Sequence, residues 1–247
     1  MLNHTVSGLS DGVPVVFLHA VGIDSWMWTN ILHHLPEVNA ISIDLPGHGA
    51  SRDIPWTSLQ DSADRVCEVV EQTCPSGAHL AALSLGSYVG FLALASQPRK
   101  FESALLSGIH AGGMPRKWLM RLLSFGMAPF AVKPAFAKKT AATFGVHETD
   151  VDNFVHSAAK TRPSAFRKST NDVIAFEMPP MAQDIEARTL FLAGSNEHAL
   201  ILESLTTFAK AVPNGSKRVI DGGGHGWPSS MPDVFAQILR RHIADLR

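Results

Sequence analysis

The chain has 247 residues, 45% of them hydrophobic and 17% charged, which is enough to bury a core without disulfide or metal cross-links. This length allows one large domain or two small ones. A formal net charge of -1 argues against binding to nucleic acid through overall positive charge, so we expect no nucleic-acid partner. No apolar run approaches the roughly 20 residues of a membrane-spanning helix, so we expect no membrane span.

The predicted elements alternate along the chain. Short apolar runs, most of them apolar on both faces, are typical of strands in a parallel sheet that helices cover on both sides. Helical periodicity separates these runs, which predicts an α/β fold with a doubly wound, mostly parallel sheet. The predicted strands are 14–20, 39–45, 78–84, 103–108, 189–194 and 217–223, and the predicted helices lie near 25–35, 58–74, 86–97, 200–211 and 231–244.

The N-terminus and the two cysteines bear on the cellular compartment. Residues 1–12 have neither a basic start nor an apolar centre, so they lack the pattern of a signal peptide. Cys67 and Cys74 lie in one predicted helix, where two turns separate them by about 10 Å, more than a disulfide spans. We therefore expect reduced, buried thiols and a cytoplasmic protein.

Residues 110–188 interrupt the alternation, because they contain Met, Phe and Ala at helical spacings but no clear strand. A structureless loop of this length would be unusual. We predict a helical cap at 110–188, inserted into a core formed by 1–109 and 189–247. Residues 110–170 hold ten Lys or Arg and three acidic residues, an excess that could attract an anionic substrate or an acyl group on a carrier protein. A solvated helix face explains the excess equally well.

One serine stands where a predicted strand meets a predicted helix. In "AALSLG", Ser84 ends the strand, and the small residues Ala82 and Gly86 flank it. A sharp strand-to-helix turn of this kind lifts the hydroxyl clear of the sheet, at a helix N-terminus that favours negative charge. An ordinary serine N-cap gives a similar local pattern. The motif alone leaves both interpretations open.

Two later strand ends favour the catalytic interpretation. The final strand runs into "GGGHGWP" with His225, and the strand before it runs into "AGSNEHA" with Glu197. A serine hydroxyl becomes a good nucleophile when a base takes its proton and a carboxylate orients that base. The carboxyl ends of parallel strands meet at one edge of the sheet, so we expect Ser84, His225 and Glu197 to lie together. Asp221, four residues before His225, is the competing acid.

Five segments resemble the α/β-hydrolase family: "LHAVG" with "SWMW", "DLPGHGAS", "ALSLGSYVG", "LFLAGSNE" and "GGGHGWP". They occur in the family's order and cover nearly the whole chain outside the predicted cap. The resemblance implies Ser84 as nucleophile, His225 as general base and Glu197 as acid. It also implies an oxyanion hole formed by the amides of Val21 and Leu85. Three positions depart from the family pattern: Ala82 and Ala20 replace glycines, and Glu197 replaces the more common aspartate.

Other residues are candidates for substrate contacts. His19 either supports the oxyanion loop or contacts substrate, and His110 leaves a strand directly into the cap, where it could line the pocket. Trp26 and Trp227 lie near the predicted site and could equally pack the core. We expect no metal and no cofactor, because the chain lacks H-E-x-x-H, G-x-G-x-x-G and P-loop patterns.

The predicted reaction is hydrolysis of a carboxylic ester or lactone through an acyl-enzyme on Ser84. The Met and Phe residues of the cap favour a small, largely apolar substrate, although most of them could simply pack the cap helices. Thioester and C–C bond hydrolysis are alternatives. A further alternative is a non-hydrolytic member of the fold: a lyase, a cofactor-free oxygenase or a ligand receptor.

Overall fold

A twisted sheet forms the centre of the molecule. The computed structural model describes residues 1–244, in which seven strands pair in the order β1-β3-β2-β4-β5-β6-β7. β1 runs antiparallel to β3, and the other neighbouring pairs are parallel. The strands are β1 (His4–Gly8), β2 (Val13–Leu18), β3 (Val38–Ile43), β4 (Ala78–Leu83), β5 (Phe101–Ser107), β6 (Arg188–Gly194) and β7 (Gly215–Ile220). The predicted doubly wound α/β fold is confirmed.

Helices cover both faces of this sheet. The α-helices found in residues 1–244 are α1 (Thr29–Leu32), α2 (Leu59–Thr73), α3 (Leu85–Ser96), α4 (Lys117–Ala131), α5 (Pro134–Thr143), α6 (Val151–Ala159), α7 (Pro163–Ala175), α8 (Ala199–Ala211), α9 (Trp227–Ser230) and α10 (Pro232–Ala244). Single 3-10 turns form at Ser25–Trp28, Gly49–Ser51, Glu148–Asp150 and Pro180–Asp184. None of these helices has both the length and the apolar character that crossing a bilayer requires.

Two hydrophobic clusters lie on opposite faces of the sheet. Tyr88 and Phe91 of α3 belong to the first cluster, which also holds both cysteines of the α2 region as buried free thiols. Trp28 and Phe235 belong to the second, and their rings lie 5.5 Å apart. β4 lies between the two clusters, and all six of its residues are buried. Burial on both faces explains why this strand reads as a continuous apolar run.

The structure differs from the predicted elements most clearly at three places. β1 has the polar sequence HTVSG and is largely exposed at the sheet edge, so no apolar run marked it. The segment predicted as one helix over 25–35 is a 3-10 turn followed by the short α1. β7 ends at Ile220 rather than at 223, because the chain turns at Gly222, where φ is +72°.

Helices α4–α7 lie between β5 and β6, and no strand forms in this part of the described chain. They are fastened to loops that follow the strands. The Arg162 amide donates to the Gly47 carbonyl at 2.8 Å, and the Asp24 amide donates to Ser157 Oγ at 2.8 Å. The helices therefore lie against the edge at which the parallel strands end.

Candidate active site

Ser84 occupies a strained turn between β4 and α3. Its φ of 53° and ψ of -118° lie in a region that non-glycine residues rarely adopt. The Ser84 amide donates to the Ser107 carbonyl at 2.8 Å, which ties the turn to the end of β5. Gly86 makes the close approach to β2 possible, because a Cβ there would lie 2.3 Å from the Leu18 carbonyl oxygen. The turn thus holds the Ser84 side chain at the carboxyl edge of the sheet.

The structure brings Ser84, His225 and Glu197 into one chain of hydrogen bonds. His225 Nε2 lies 2.9 Å from Ser84 Oγ, and His225 Nδ1 lies 2.8 Å from Glu197 Oε1. The carboxylate can only accept, so Nδ1 carries the proton and Nε2 is free to accept from the serine hydroxyl. The Glu197 side chain is 3% exposed and that of His225 33% exposed. The acid is shielded from water, whereas the base is partly exposed.

Main-chain contacts hold together the loops that carry Glu197 and His225. The Asn196 amide donates to the Gly223 carbonyl at 2.8 Å. A Cβ on Gly194 would lie 2.1 Å from the same carbonyl oxygen, so the two loops approach more closely than a side chain would allow. Asp221, the competing acid, is exposed in the turn after β7 and forms no hydrogen bond with His225. The geometry therefore supports Glu197 as the partner of His225.

Two residues near His225 were missed by the sequence analysis. Gly108 follows β5 with φ +71°, and a Cβ there would lie 2.9 Å from His225 Cε1. A glycine directly after a strand at this edge was the available signal. The Phe144 ring packs edge-on against the imidazole, with centroids 5.9 Å apart. Nothing in the sequence marked Phe144, because it follows α5, where no motif fixes the register of the chain.

Val21 and Leu85 lie on the two loops expected to form an oxyanion hole. Leu85 is the first residue of α3, and Val21 follows β2. The Gly86 amide donates to the His19 carbonyl at 3.0 Å, which fastens the two loops to each other. Neither the Val21 nor the Leu85 amide is among the hydrogen-bond donors found within residues 1–244.

His19 and Trp227 were candidates for substrate contacts, but both lie fully buried in the core. His19 Nε2 accepts from the Leu45 amide at 2.9 Å, so its Nδ1 donates to the Ala20 carbonyl at 2.8 Å. Trp227 Nε1 donates to Ser107 Oγ at 2.8 Å. Each ring therefore has its polar atoms occupied inside the protein and supports the loops behind the site.

His110 is likewise buried, between the end of β5 and α7. Its Nδ1 accepts from the Gly112 amide at 3.1 Å, so Nε2 donates to the Val173 carbonyl at 3.0 Å. Its own amide donates to the Tyr88 hydroxyl at 2.9 Å. Burial lowers the pKa of His110, which favours this neutral form. His110 thus joins α7 to the sheet and does not line the pocket in this structure.

An apolar cavity of about 110 Å³ lies beside Val21. Its walls come from the oxyanion loop and from the helices between β5 and β6, and most of them are apolar. They include Val21, Gly22, Ala131, Phe136, Ala137, Thr140, Phe144 and Phe166. Trp26 does not line this cavity; it lines a smaller one that shares Ile23, Phe144 and Phe154 with it, and a larger one beside β1 and β3. Phe144, which touches both the cavity and His225, connects the cavity to the proposed catalytic groups.

Within the described part of the chain, no group of three or more His, Cys, Asp or Glu side chains is placed to hold an ion. The arrangement at Ser84 brings together a serine hydroxyl, an imidazole and a buried carboxylate.

The chain matches known proteins over most of its length. It is 26% identical to RutD of Azorhizobium caulinodans, provisionally named a carbamate hydrolase, over 92% of this chain and 90% of that protein. It is 28% identical to a provisionally named 2-succinyl-6-hydroxy-2,4-cyclohexadiene-1-carboxylate synthase of Haemophilus influenzae. That alignment covers only 40% of this chain and 42% of the relative.

A solved structure and a family model agree with this result. BpoC of Mycobacterium tuberculosis H37Rv, provisionally assigned as a non-heme bromoperoxidase, superposes with a TM-score of 0.83 at 16% identity. The superposition covers all of this chain and 97% of BpoC, and at this identity it shows the shared fold alone. The model of the alpha/beta hydrolase family matches residues 15–238. The chain belongs to the alpha/beta hydrolase family.

Proposed function

We propose that this protein hydrolyses carboxylic esters or lactones of small, largely apolar compounds through an acyl-enzyme on Ser84. The observation that carries the proposal is the unbroken contact from Glu197 through His225 to Ser84 Oγ. A buried carboxylate that fixes the tautomer of a histidine has a direct use when that histidine must accept a proton from a nucleophile.

The reaction follows from the positions of these groups. Ser84 Oγ attacks the substrate carbonyl carbon while His225 Nε2 takes the hydroxyl proton, and Glu197 stabilises the resulting imidazolium. The Val21 and Leu85 amides stabilise the oxyanion, where each such donor is worth roughly 3–4 kcal/mol. His225 then protonates the leaving alcohol. Water, activated by the same histidine, releases the acid and restores the serine.

The cavity beside Val21 supports a small apolar acyl group. Its volume of about 110 Å³ is close to that of a few methylene groups, and Thr140 is the single polar side chain among the described residues that line it. The basic residues of 110–170 extend the proposal to substrates that carry a negative charge or a carrier protein.

A reaction without net hydrolysis is the second candidate. The Haemophilus influenzae relative is named for a synthase, whereas the Azorhizobium caulinodans relative is named for hydrolysis of a carbamate. The same serine and histidine could transfer a proton to or from a bound substrate without forming an acyl-enzyme.

Intact-mass spectrometry after fluorophosphonate treatment, together with turnover of p-nitrophenyl esters of increasing chain length, tests the proposal. We expect one adduct on Ser84, none in Ser84→Ala, and a loss of turnover of about 10⁴-fold or more in Ser84→Ala and His225→Ala. Circular dichroism should show that both variants remain folded. Labelling without turnover of any ester would favour the second candidate, and a protein that is not labelled would contradict an activated Ser84.

A further inference from the structure

Helix α4 turns small side chains toward the protein and large apolar side chains toward the solvent. It buries the small residues Ser124, Ala128 and Ala131. It exposes seven large apolar side chains, which together form what we call the α4 apolar face: Trp118, Met120, Leu122, Leu123, Phe125, Met127 and Phe130. Trp118 is 71% exposed and Phe125 62% exposed. A helix that only packed against α7 would have the opposite arrangement.

This concentration is specific to α4. Eleven large apolar residues are exposed within residues 1–244, and seven of them form the α4 apolar face. The other four, Met1, Val6, Leu9 and Val219, are dispersed over the N-terminal segment and β7. Scattered exposed residues are ordinary in soluble proteins, whereas a contiguous patch on one helix marks a surface that binds something.

Basic side chains surround the α4 apolar face. Arg116 and Arg121 are exposed at its N-terminal half, and Lys133, Lys138 and Lys139 are exposed beyond its C-terminal end. Two cations lie over aromatic rings of the face: Lys133 Nζ is 5.3 Å from the Phe130 centroid, and Arg167 Cζ is 5.2 Å from that of Phe125. The nearby carboxylate of Glu177 is already paired with Lys117.

The positive charge around the α4 apolar face indicates what binds there. A second copy of the chain docked through the same face would bring two sets of basic side chains together, which opposes a symmetric dimer. An apolar layer beneath anionic headgroups complements both the exposed Trp, Phe and Leu side chains and the surrounding Lys and Arg. The face is also the outer side of a single helix rather than a groove that would grip another protein's side chains.

We propose that α4 is an interfacial helix that binds this protein to anionic lipid surfaces, with the α4 apolar face among the acyl chains and the basic residues at the lipid phosphates. Lipid binding is independent of the reaction proposed for Ser84. The two are neighbours, however, because Ala131 at the end of α4 and Phe136 of α5 line the cavity beside Val21. A compound dissolved in the lipid would therefore meet the protein next to that cavity.

Co-sedimentation with vesicles tests the proposal. We expect the protein to bind vesicles of equal phosphatidylcholine and phosphatidylglycerol at low ionic strength at least about tenfold more strongly than phosphatidylcholine alone. Added salt should weaken this binding. A variant that combines Trp118→Ser, Leu122→Ser and Phe125→Ser should lose binding by about tenfold or more. The matched control, Val6→Thr with Leu9→Ser, removes exposed apolar groups elsewhere and should bind like the unmodified protein.

Fluorophosphonate labelling of Ser84 and thermal unfolding would be measured on each variant. Equal labelling with lost vesicle binding would assign the loss to the surface and leave the proposed reaction untouched. If the triple variant does not fold, Arg116→Gln with Arg121→Gln and Lys133→Gln should still abolish the preference for anionic vesicles.

Failure of the unmodified protein to bind either vesicle would overturn the proposal, as would undiminished binding by the triple variant. A dimer in analytical ultracentrifugation that the triple variant converts to monomer, without vesicle binding, would assign the face to a second copy instead.

Discussion

The Nε2 atom of His225 lies 2.9 Å from the Oγ atom of Ser84, although 141 positions separate the two residues in the chain. The contact exists because β4 and β7 run parallel in the same sheet and both end at the same edge. Ser84 directly follows β4, and His225 lies five residues beyond the end of β7, so short loops are enough to bring the two side chains together.

The acid of the site can be identified by two matched substitutions. Glu197→Gln keeps the size of a buried side chain but removes the charge that fixes the tautomer of His225, so we expect a loss in kcat of about 10³- to 10⁴-fold. Asp221→Asn changes an exposed side chain with no contact to His225 and should leave kcat unchanged. Ester turnover measured for both variants and the unmodified protein shows which residue is the acid. Equal losses in the two variants would contradict the role of Glu197.

Gly108 should prove necessary for the position of His225. In Gly108→Ala the added Cβ would press on His225 Cε1, so we expect a loss in kcat/KM of about 10- to 100-fold. Gly113→Ala is the control, because Gly113 has φ +73° and open space at the Cβ position. Both variants should lose about 1–2 kcal/mol in the free energy of unfolding from the left-handed backbone. Similar activities in the two variants would show that crowding at His225 does not matter.

The cavity beside Val21 should set the preferred acyl length. Ala137→Leu adds carbon atoms to its wall and should lower kcat/KM for p-nitrophenyl hexanoate by about tenfold or more, while the acetate ester is little affected. Ala135→Leu, at an exposed position of the same helix, should leave both rates unchanged. A uniform loss for both esters would indicate that the acyl group binds elsewhere.

Buried His48 should make the stability depend on pH. Burial lowers the pKa of His48 from 6.5 to about 3 in the folded protein. Between these values the unfolded chain binds a proton that the folded protein does not, so stability falls as the pH falls. We expect the free energy of unfolding to drop by about 2 kcal/mol from this group between pH 7 and pH 5.

Urea unfolding of His48→Asn at both pH values measures this contribution. Asn keeps a donor for the Pro46 carbonyl, which the His48 ring contacts at 2.9 Å, but it does not titrate. The drop between pH 7 and pH 5 should therefore be smaller in this variant. Substitution of the exposed His33 by Asn serves as the control. An unchanged pH dependence in His48→Asn would mean that other groups cause the loss.

The parallel strands of the sheet could be predicted from the sequence because strands buried on both faces consist of continuous apolar residues. The same rule failed for β1, an exposed edge strand with the sequence HTVSG. Ser84, Glu197 and His225 could be placed near one another because each follows a predicted strand, and strand ends converge. Their distances depend on loop backbone that no local pattern encodes.

Burial was harder to foresee than proximity. His19 and Trp227 lie close to the site in sequence, but their ring atoms are occupied by Leu45 and Ser107, partners that only the tertiary structure brings to them. Phe144 shows the reverse case. It reaches His225 from the helices between β5 and β6. The composition of that region predicted helices, but no motif showed which of its residues would face the site.

The contact between Gly194 and Gly223 has a wider consequence. Main chain touches main chain there, so the spacing between Glu197 and His225 depends on glycine at position 194, where any side chain would clash with the Gly223 carbonyl. Helices α4–α7 contribute no atoms to that contact, and Phe144, between α5 and α6, is the residue of this region that packs against His225, so substitutions in the helices themselves should leave the spacing between Glu197 and His225 in place. Such a chain could change its cavity wall by substitutions in α4–α7 while the residues that would carry out the chemistry keep their geometry.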